Sequence, residues 1–129
     1  MNSEDYQNVL ENYLTPVFYE LCGVDGIFQQ DNAPIHVSSS TKAWFADKNI
    51  NLMSWPSRSP DLNSIEYVWG ILARKVYQNG RQFNSKSELE KAIDFEWARI
   101  DQTVIQKLIL SMKDRLIQVI EKKGAETSY

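Results

Sequence analysis

The sequence predicts an α/β domain that ends in a wholly helical tail. Three observations predict it. Apolar residues recur at helical spacing over residues 3–22 and again from residue 63 onward. Two short apolar runs, "GIFQQD" at 26–31 and "INLMSW" at 50–55, have the length of strands and are bounded by turn residues. The two kinds of segment alternate as helix, strand, helix, strand before three helices close the chain.

Each element follows from its own residues. In the first helix Tyr6, Val9, Leu10, Tyr13, Leu14, Val17, Phe18 and Leu21 recur at helical spacing, and Ser3 is suited to cap its start. Pro16 predicts a kink or the end of the regular part, and Gly23 and Gly26 bracket a break. Ile27 and Phe28 carry the first strand. A short helix over 38–47 starts on a serine cap, the second strand follows, and "PSRSPDLN" at 56–63 is a loop punctuated by two prolines. The next helix begins at Asn63, with Ile65, Val68, Trp69, Leu72 and Val76 on one face, and breaks near Gly80. Ser85 and Glu88 form a capping-box pattern ahead of a helix that buries Leu89, Ala92, Ile93 and Trp97. A last helix runs from about 102 to 122 with Ile105, Leu108, Met112, Leu116 and Val119 inward, and Gly124 stops it.

Two strands make an incomplete sheet. A two-stranded sheet is marginal by itself. Parallel strands joined by a crossover helix are normally covered on both faces. The pattern therefore predicts further strands outside this sequence, so that the chain reads as the second half of a domain.

Composition narrows the classes. The chain has 129 residues, with 43% apolar and 24% charged, which suits one folded domain with a core. No apolar stretch is long enough to span a membrane, and the N-terminus lacks the pattern of a secretory signal. One cysteine, Cys22, makes no internal disulfide, and no Cys/His cluster suggests zinc. An intracellular compartment fits. A net charge of -3 argues against a chain whose main task is gripping DNA electrostatically. The locally basic C-terminal stretch around Lys107, Lys113, Arg115, Lys122 and Lys123 reads as a solvated helix face.

Two carboxylates stand out. Asp31 closes the first strand, and Glu66 sits in the first turn of the helix after the second. The ends of adjacent strands are where open α/β sheets place their sites. Carboxylates meeting there repel unless a cation separates them, and hard oxygen ligands suit Mg²⁺ or Mn²⁺. Such ions activate water or a hydroxyl in phosphodiester chemistry. Each carboxylate also has a structural reading. Asp31 can make an Asx-turn into "NAP", and Glu66 stands at the capping-box position after Asn63. Asp61 reads as a loop or cap residue. His36, the single histidine, is a base, a phosphate contact or a structural residue.

"FQQDNAPIHVS" and "WPSRSPDLNSIEYVWG" resemble the paired signatures of the mariner superfamily of cut-and-paste transposases. Asp31 and Glu66 are separated by 34 residues (32 to 65), the spacing typical of one large branch of that family. The likeness extends to "MNSEDYQNVLENYL" and "LILSMKDRLIQVIEKKG", and so covers essentially the whole chain. The resemblance implies a ribonuclease H-like fold with a DDE site, three carboxylates holding two Mg²⁺ (or Mn²⁺) ions. Asp31 and Glu66 match the second and third carboxylates as catalytic metal ligands. Asn32 and His36 match as site support or DNA contacts.

Two departures bear on this. Ser64 stands where the family usually has proline, and serine is tolerated there. The family's first aspartate lies on the sheet's first strand, upstream of the helix that opens this chain. Met1 comes too late to include it, and Asp5 and Asp25 do not match its context. The helix-turn-helix modules that bind transposon ends are likewise not in the sequence. The reading is thus of residues 1–129 as the C-terminal part of a DDE transposase catalytic domain, a partial ribonuclease H-like fold with two core strands and a helical tail. The resemblance implies transposon-end and target DNA as partners, a transposase homo-oligomer and the nucleus. The chain by itself is expected to be inactive. The alternative is a non-catalytic interaction protein or a relic derived from a transposase.

Overall fold

The computed structural model describes residues 1–56 and 59–124, which form two units, Met1–Arg58 and Ser59–Tyr129. Most of the described residues are helical, around a two-stranded sheet.

The first unit opens with α1 (Ser3–Val9). Its cap is Asn2, one residue before the expected Ser3. The Asn2 side chain accepts from the Asp5 amide at 2.8 Å, and the Asp5 carboxylate accepts from the Asn2 amide at 2.9 Å. The reciprocal pair satisfies two of the donors a helix start leaves open. The chain then widens into a π-helical turn, Leu10–Leu14, before α2 (Thr15–Cys22). Pro16, near the start of α2, has no N–H to donate back, and the wider turn carries the helix past it without a stop. This splits the predicted apolar face. Tyr6, Leu10, Leu14 and Phe18 pack inward, while Val9, Tyr13, Val17 and Leu21 are exposed.

Gly23 ends α2 at φ 69°, a left-handed value that favours glycine. Strand β1 is shorter than predicted, Ile27–Phe28, as is β2, Asn51–Leu52. They pair in parallel, Ile27 opposite Asn51 and Phe28 opposite Leu52. Between them lie a helical turn, α3 (Pro34–Val37), which starts on the proline, and α4 (Ser39–Asp47), capped by Ser38. Phe28 and Leu52 pack on the Leu10, Phe18, Phe45 and Ile50 core; Ile27, one residue along, points to the other face and is 57% exposed.

In the second unit a 3₁₀ turn, Pro60–Leu62, leads into α5 (Ser64–Val76), capped by Asn63. Ser57 and Arg58 of the predicted loop lie outside the described residues. After a turn through Asn79 and Gly80 comes α6 (Lys86–Ala98). Ser85 caps it at 3.1 Å, but the Glu88 carboxylate reaches past the cap to the Asn84 amide at 2.8 Å. Leu72, Val76 and Ala92 are buried together, flanked by Phe83, Leu89 and Ile93. Trp69 and Trp97, expected in the core, instead stack on each other at 5.6 Å and remain about half exposed.

The predicted last helix is two, α7 (Gln102–Leu110) and α8 (Met112–Glu121), divided at Ser111, whose hydroxyl donates to the Leu108 carbonyl at 2.7 Å. The break shifts the phase. Leu116, expected inward, is 50% exposed, and Arg115, expected on a solvated face, is fully buried.

Candidate active site

Asp31 lies three residues beyond β1, where the chain leaves the sheet. Its Oδ1 accepts the Ala33 amide at 3.0 Å, so the Asx-turn exists. The same oxygen meets His36 Nδ1 at 2.6 Å. An ionised carboxylate only accepts, so Nδ1 carries the proton. Both contacts fall on Oδ1, and Oδ2 makes no hydrogen bond among the described residues. The Ala33 amide holds the Asp31 carboxyl below its ordinary value; partial burial opposes it, and the hydrogen bond and charge of His36 add to the lowering.

His36 is itself held. Its ring lies against Tyr6 with centroids 4.2 Å apart, and its carbonyl accepts from the Gln30 amide nitrogen at 3.1 Å. Gln30 in turn accepts the Tyr6 hydroxyl at 2.8 Å. Burial, and then the nearby charge of Asp31, push the Tyr6 hydroxyl up to about 12. Tyr6 and Gln30 were not visible as site residues in the sequence. Tyr6 reads there as one more apolar position of a helix, and nothing in the spacing links it to residue 36.

Asn32 points elsewhere. Its side-chain nitrogen donates to the Trp55 carbonyl at 2.9 Å, tying the segment after β1 to the segment after β2. Beside it is a cleft of about 360 Å³ lined by Gln30, Asn32, Lys42, Leu52, Ser54 and Trp55, among others. The structure thus brings Asp31 and His36 together and gives Asn32 a structural bond within the same unit.

Glu66 stands in the second unit, in the first turn of α5, and is exposed. Asn63 Oδ1 caps the Ile65 amide at 3.4 Å, while no hydrogen bond or ion pair engages the Glu66 carboxylate among the described residues. The capping-box role read for it is not used. Ser64 occupies the first helical position, and its hydroxyl donates to the Leu108 carbonyl at 3.4 Å, a bond proline could not make. Among the described residues no group of three or more His, Cys, Asp or Glu side chains is placed to hold a metal ion. No described helix is long and apolar enough to cross a membrane.

These features can be set beside known proteins. The family of DDE superfamily endonucleases matches residues 3–90. The chain is 46% identical over 129 residues to the transposable element Tc3 transposase of Caenorhabditis elegans, covering all of this chain and 39% of that protein. It is 36% identical over 129 residues to the Tc1 transposase of the same organism, covering 46% of it. The chain thus spans less than half the length of these curated relatives. Among solved structures, the catalytic domain of Mos1 mariner transposase matches with a TM-score of 0.87 at 21% identity, over 98% of this chain and 64% of that one. The same domain with raltegravir and Mn matches at 0.88 and 21% identity, over 99% and 66%. The Mos1 paired-end complex with the left transposon end matches at 0.84 and 21% identity, over 97% and 37%. At that identity the likeness establishes the fold, that of the Mos1 catalytic domain. With its family match over two thirds of its residues and transposase relatives along its whole length, the chain belongs to the DDE superfamily endonucleases, among the mariner superfamily transposases.

Proposed function

We propose that residues 1–129 are the C-terminal part of the catalytic domain of a cut-and-paste DNA transposase, which cleaves DNA at transposon ends and joins the freed 3′ hydroxyls to target DNA. Asp31 and Glu66 each serve as a catalytic metal ligand. The family's first aspartate and the sheet's first strands lie outside these residues, as do the helix-turn-helix modules. The exposed Ile27 supports this part of the reading, because a parallel sheet is normally covered on both faces.

The observation that carries the reading is the Asp31 carboxylate. One oxygen is fixed by two donors, the other is open, and the group is held ionised through the physiological range. Glu66 presents a second open carboxylate. Hard oxygen donors of this kind fit Mg²⁺ or Mn²⁺, and the Mos1 domain has been solved with each. When bound, two such ions supply Lewis-acid activation of the attacking water or hydroxyl and stabilisation of the leaving oxygen. The chain's own residues do the rest. Ala33 and His36 orient Asp31, Tyr6 and Gln30 orient His36, and Asn32 fixes the backbone at Trp55. Lys42 brings positive charge to the neighbouring cleft, which suits a phosphodiester. Transposon-end and target DNA are the partners, as transposon DNA is in the Mos1 paired-end complex, in a transposase homo-oligomer working in the nucleus.

The test replaces the matching segment of the Tc3 transposase with residues 1–129. The chimera is expected to cut transposon-end DNA in Mg²⁺, and Asp31→Asn or Glu66→Gln to abolish cutting. A chimera that cuts equally well with either substitution would overturn the assignment. The 129-residue chain alone is expected to leave the same DNA intact, since two carboxylates do not complete a three-carboxylate site.

A second reading, a non-catalytic interaction protein, is favoured by the apolar side chains that the first unit leaves exposed, Tyr13, Leu21, Val24 and Ile27 among them. Concentration-independent monomeric behaviour in sedimentation would count against it.

A further inference from the structure

We propose that Arg115 is the positioning residue for Glu66. This inference rests on the reading of Glu66 as a metal ligand. Because the Glu66 carboxylate is exposed and makes no bond among the described residues, the backbone on either side sets where it stands. Arg115, on α8, holds both sides. Upstream, its Nη1 donates to the Asp61 carbonyl at 3.0 Å, in the turn that leads into α5. Downstream, its guanidinium lies over the ring of Tyr67, the residue after Glu66, 4.3 Å from the ring centre. The Tyr67 hydroxyl is buried and makes no hydrogen bond among the described residues, so the ring is held by its face rather than its tip.

The choice of residue supports the role. Arg115 is wholly buried while its neighbour Leu116 is half exposed. A leucine turned inward would cover apolar surface without the cost of burying a charge. Only a planar, forked cation both donates to a carbonyl and stacks on a ring; lysine carries the charge without that geometry. Ser64, bonded to the Leu108 carbonyl, adds a second tie at the start of α5.

The test uses the full 129-residue chain. In Arg115→Met, amide hydrogen exchange is expected to accelerate about tenfold at Leu62, Asn63 and Glu66, with Ala92 in α6 unchanged. Those three amides close the turn and the first turn of α5, donating to Ser59, Pro60 and Asn63. Acceleration spread evenly over α5 and α6, or none, would overturn the proposal. Arg115→Lys, which keeps the charge in place, is expected to give the same local pattern and decides the matter if the methionine variant does not fold.

The second arm is Mn²⁺ line broadening in the same spectra. In the native chain Mn²⁺ is expected to broaden Glu66 and Asp31. In Arg115→Met the midpoint at Glu66 is expected to rise about tenfold while that at Asp31 holds, as for loss of a residue that orients a ligand. An unchanged midpoint at Glu66 sinks the positioning role. No broadening at Glu66 in the native chain sinks the metal reading instead, and the exchange arm then decides Arg115 by itself.

Discussion

Asp31 and His36 meet at 2.6 Å through the one carboxylate oxygen that the Ala33 amide also uses, so that both structural contacts fall on Oδ1. A carboxylate in the segment that leaves a strand can therefore close a turn and still present an unused oxygen. The Asx-turn read for Asp31 is present and leaves Oδ2 open, so the turn does not exclude the proposed metal-ligand role.

His36→Ala removes one of the two donors. The Asp31 carboxyl is expected to titrate higher than in the native chain, yet still below its usual value, because the Ala33 amide remains. Carbon-detected titration of the Asp31 carboxyl checks this. With Asp31 half exposed, the pair contributes about 1 kcal/mol or less to stability, measured by urea unfolding.

Two groups of the first unit bear on the pH dependence of stability. The folded Asp31 carboxyl titrates below the unfolded value of 3.8, so its contribution is complete above that value and lost as pH falls through the folded one. Asp31→Asn is expected to flatten the acid limb of the stability curve. Tyr6 is shifted the other way, from 10.0 to about 12, so its contribution is complete below pH 10 and lost as pH rises toward 12. Absorbance at alkaline pH is expected to show one late-ionising tyrosine, missing in Tyr6→Phe.

Gly26→Ala tests close packing where α2 turns into β1. A Cβ there would stand 2.5 Å from Cys22 Cβ and 2.9 Å from Phe18 Cζ. Relief requires movement of a core aromatic, and the expected loss is about 1–3 kcal/mol. Thermal unfolding at native or higher stability would contradict this.

Ser85→Ala tests the start of α6. Its hydroxyl oxygen accepts the Glu88 amide, and its removal is expected to cost about 1 kcal/mol. Glu88→Ala, which frees the Asn84 amide at an exposed site, is expected to cost less. Denaturant midpoints of the two variants give the order.

The elements themselves were legible in local sequence. Asn63 and Ser85 announce the starts of α5 and α6, and the two short apolar runs mark the strands, because caps, turns and periodicity act over three or four residues. The family was legible for a different reason: Asp31 and Glu66 come embedded in long stretches at a particular spacing. Misreadings occurred where a local break changes a phase. Val17 and Leu21, beyond the π turn and Pro16, are exposed, and the break at Ser111 exchanges Leu116 for Arg115. A periodicity count assumes an unbroken helix, and one misplaced residue turns the face by about 100°.

What the residues by themselves determined is the order of the main elements and the family; that Asp31 and Glu66 bear its chemistry is the proposal drawn from them. Tertiary structure decided which oxygen of Asp31 is engaged, that Tyr6 and Gln30 stand behind His36, and that a buried arginine brackets Glu66. Those contacts join residues up to 54 positions apart. Such pairings depend on how helices and turns pack, which local propensity does not encode.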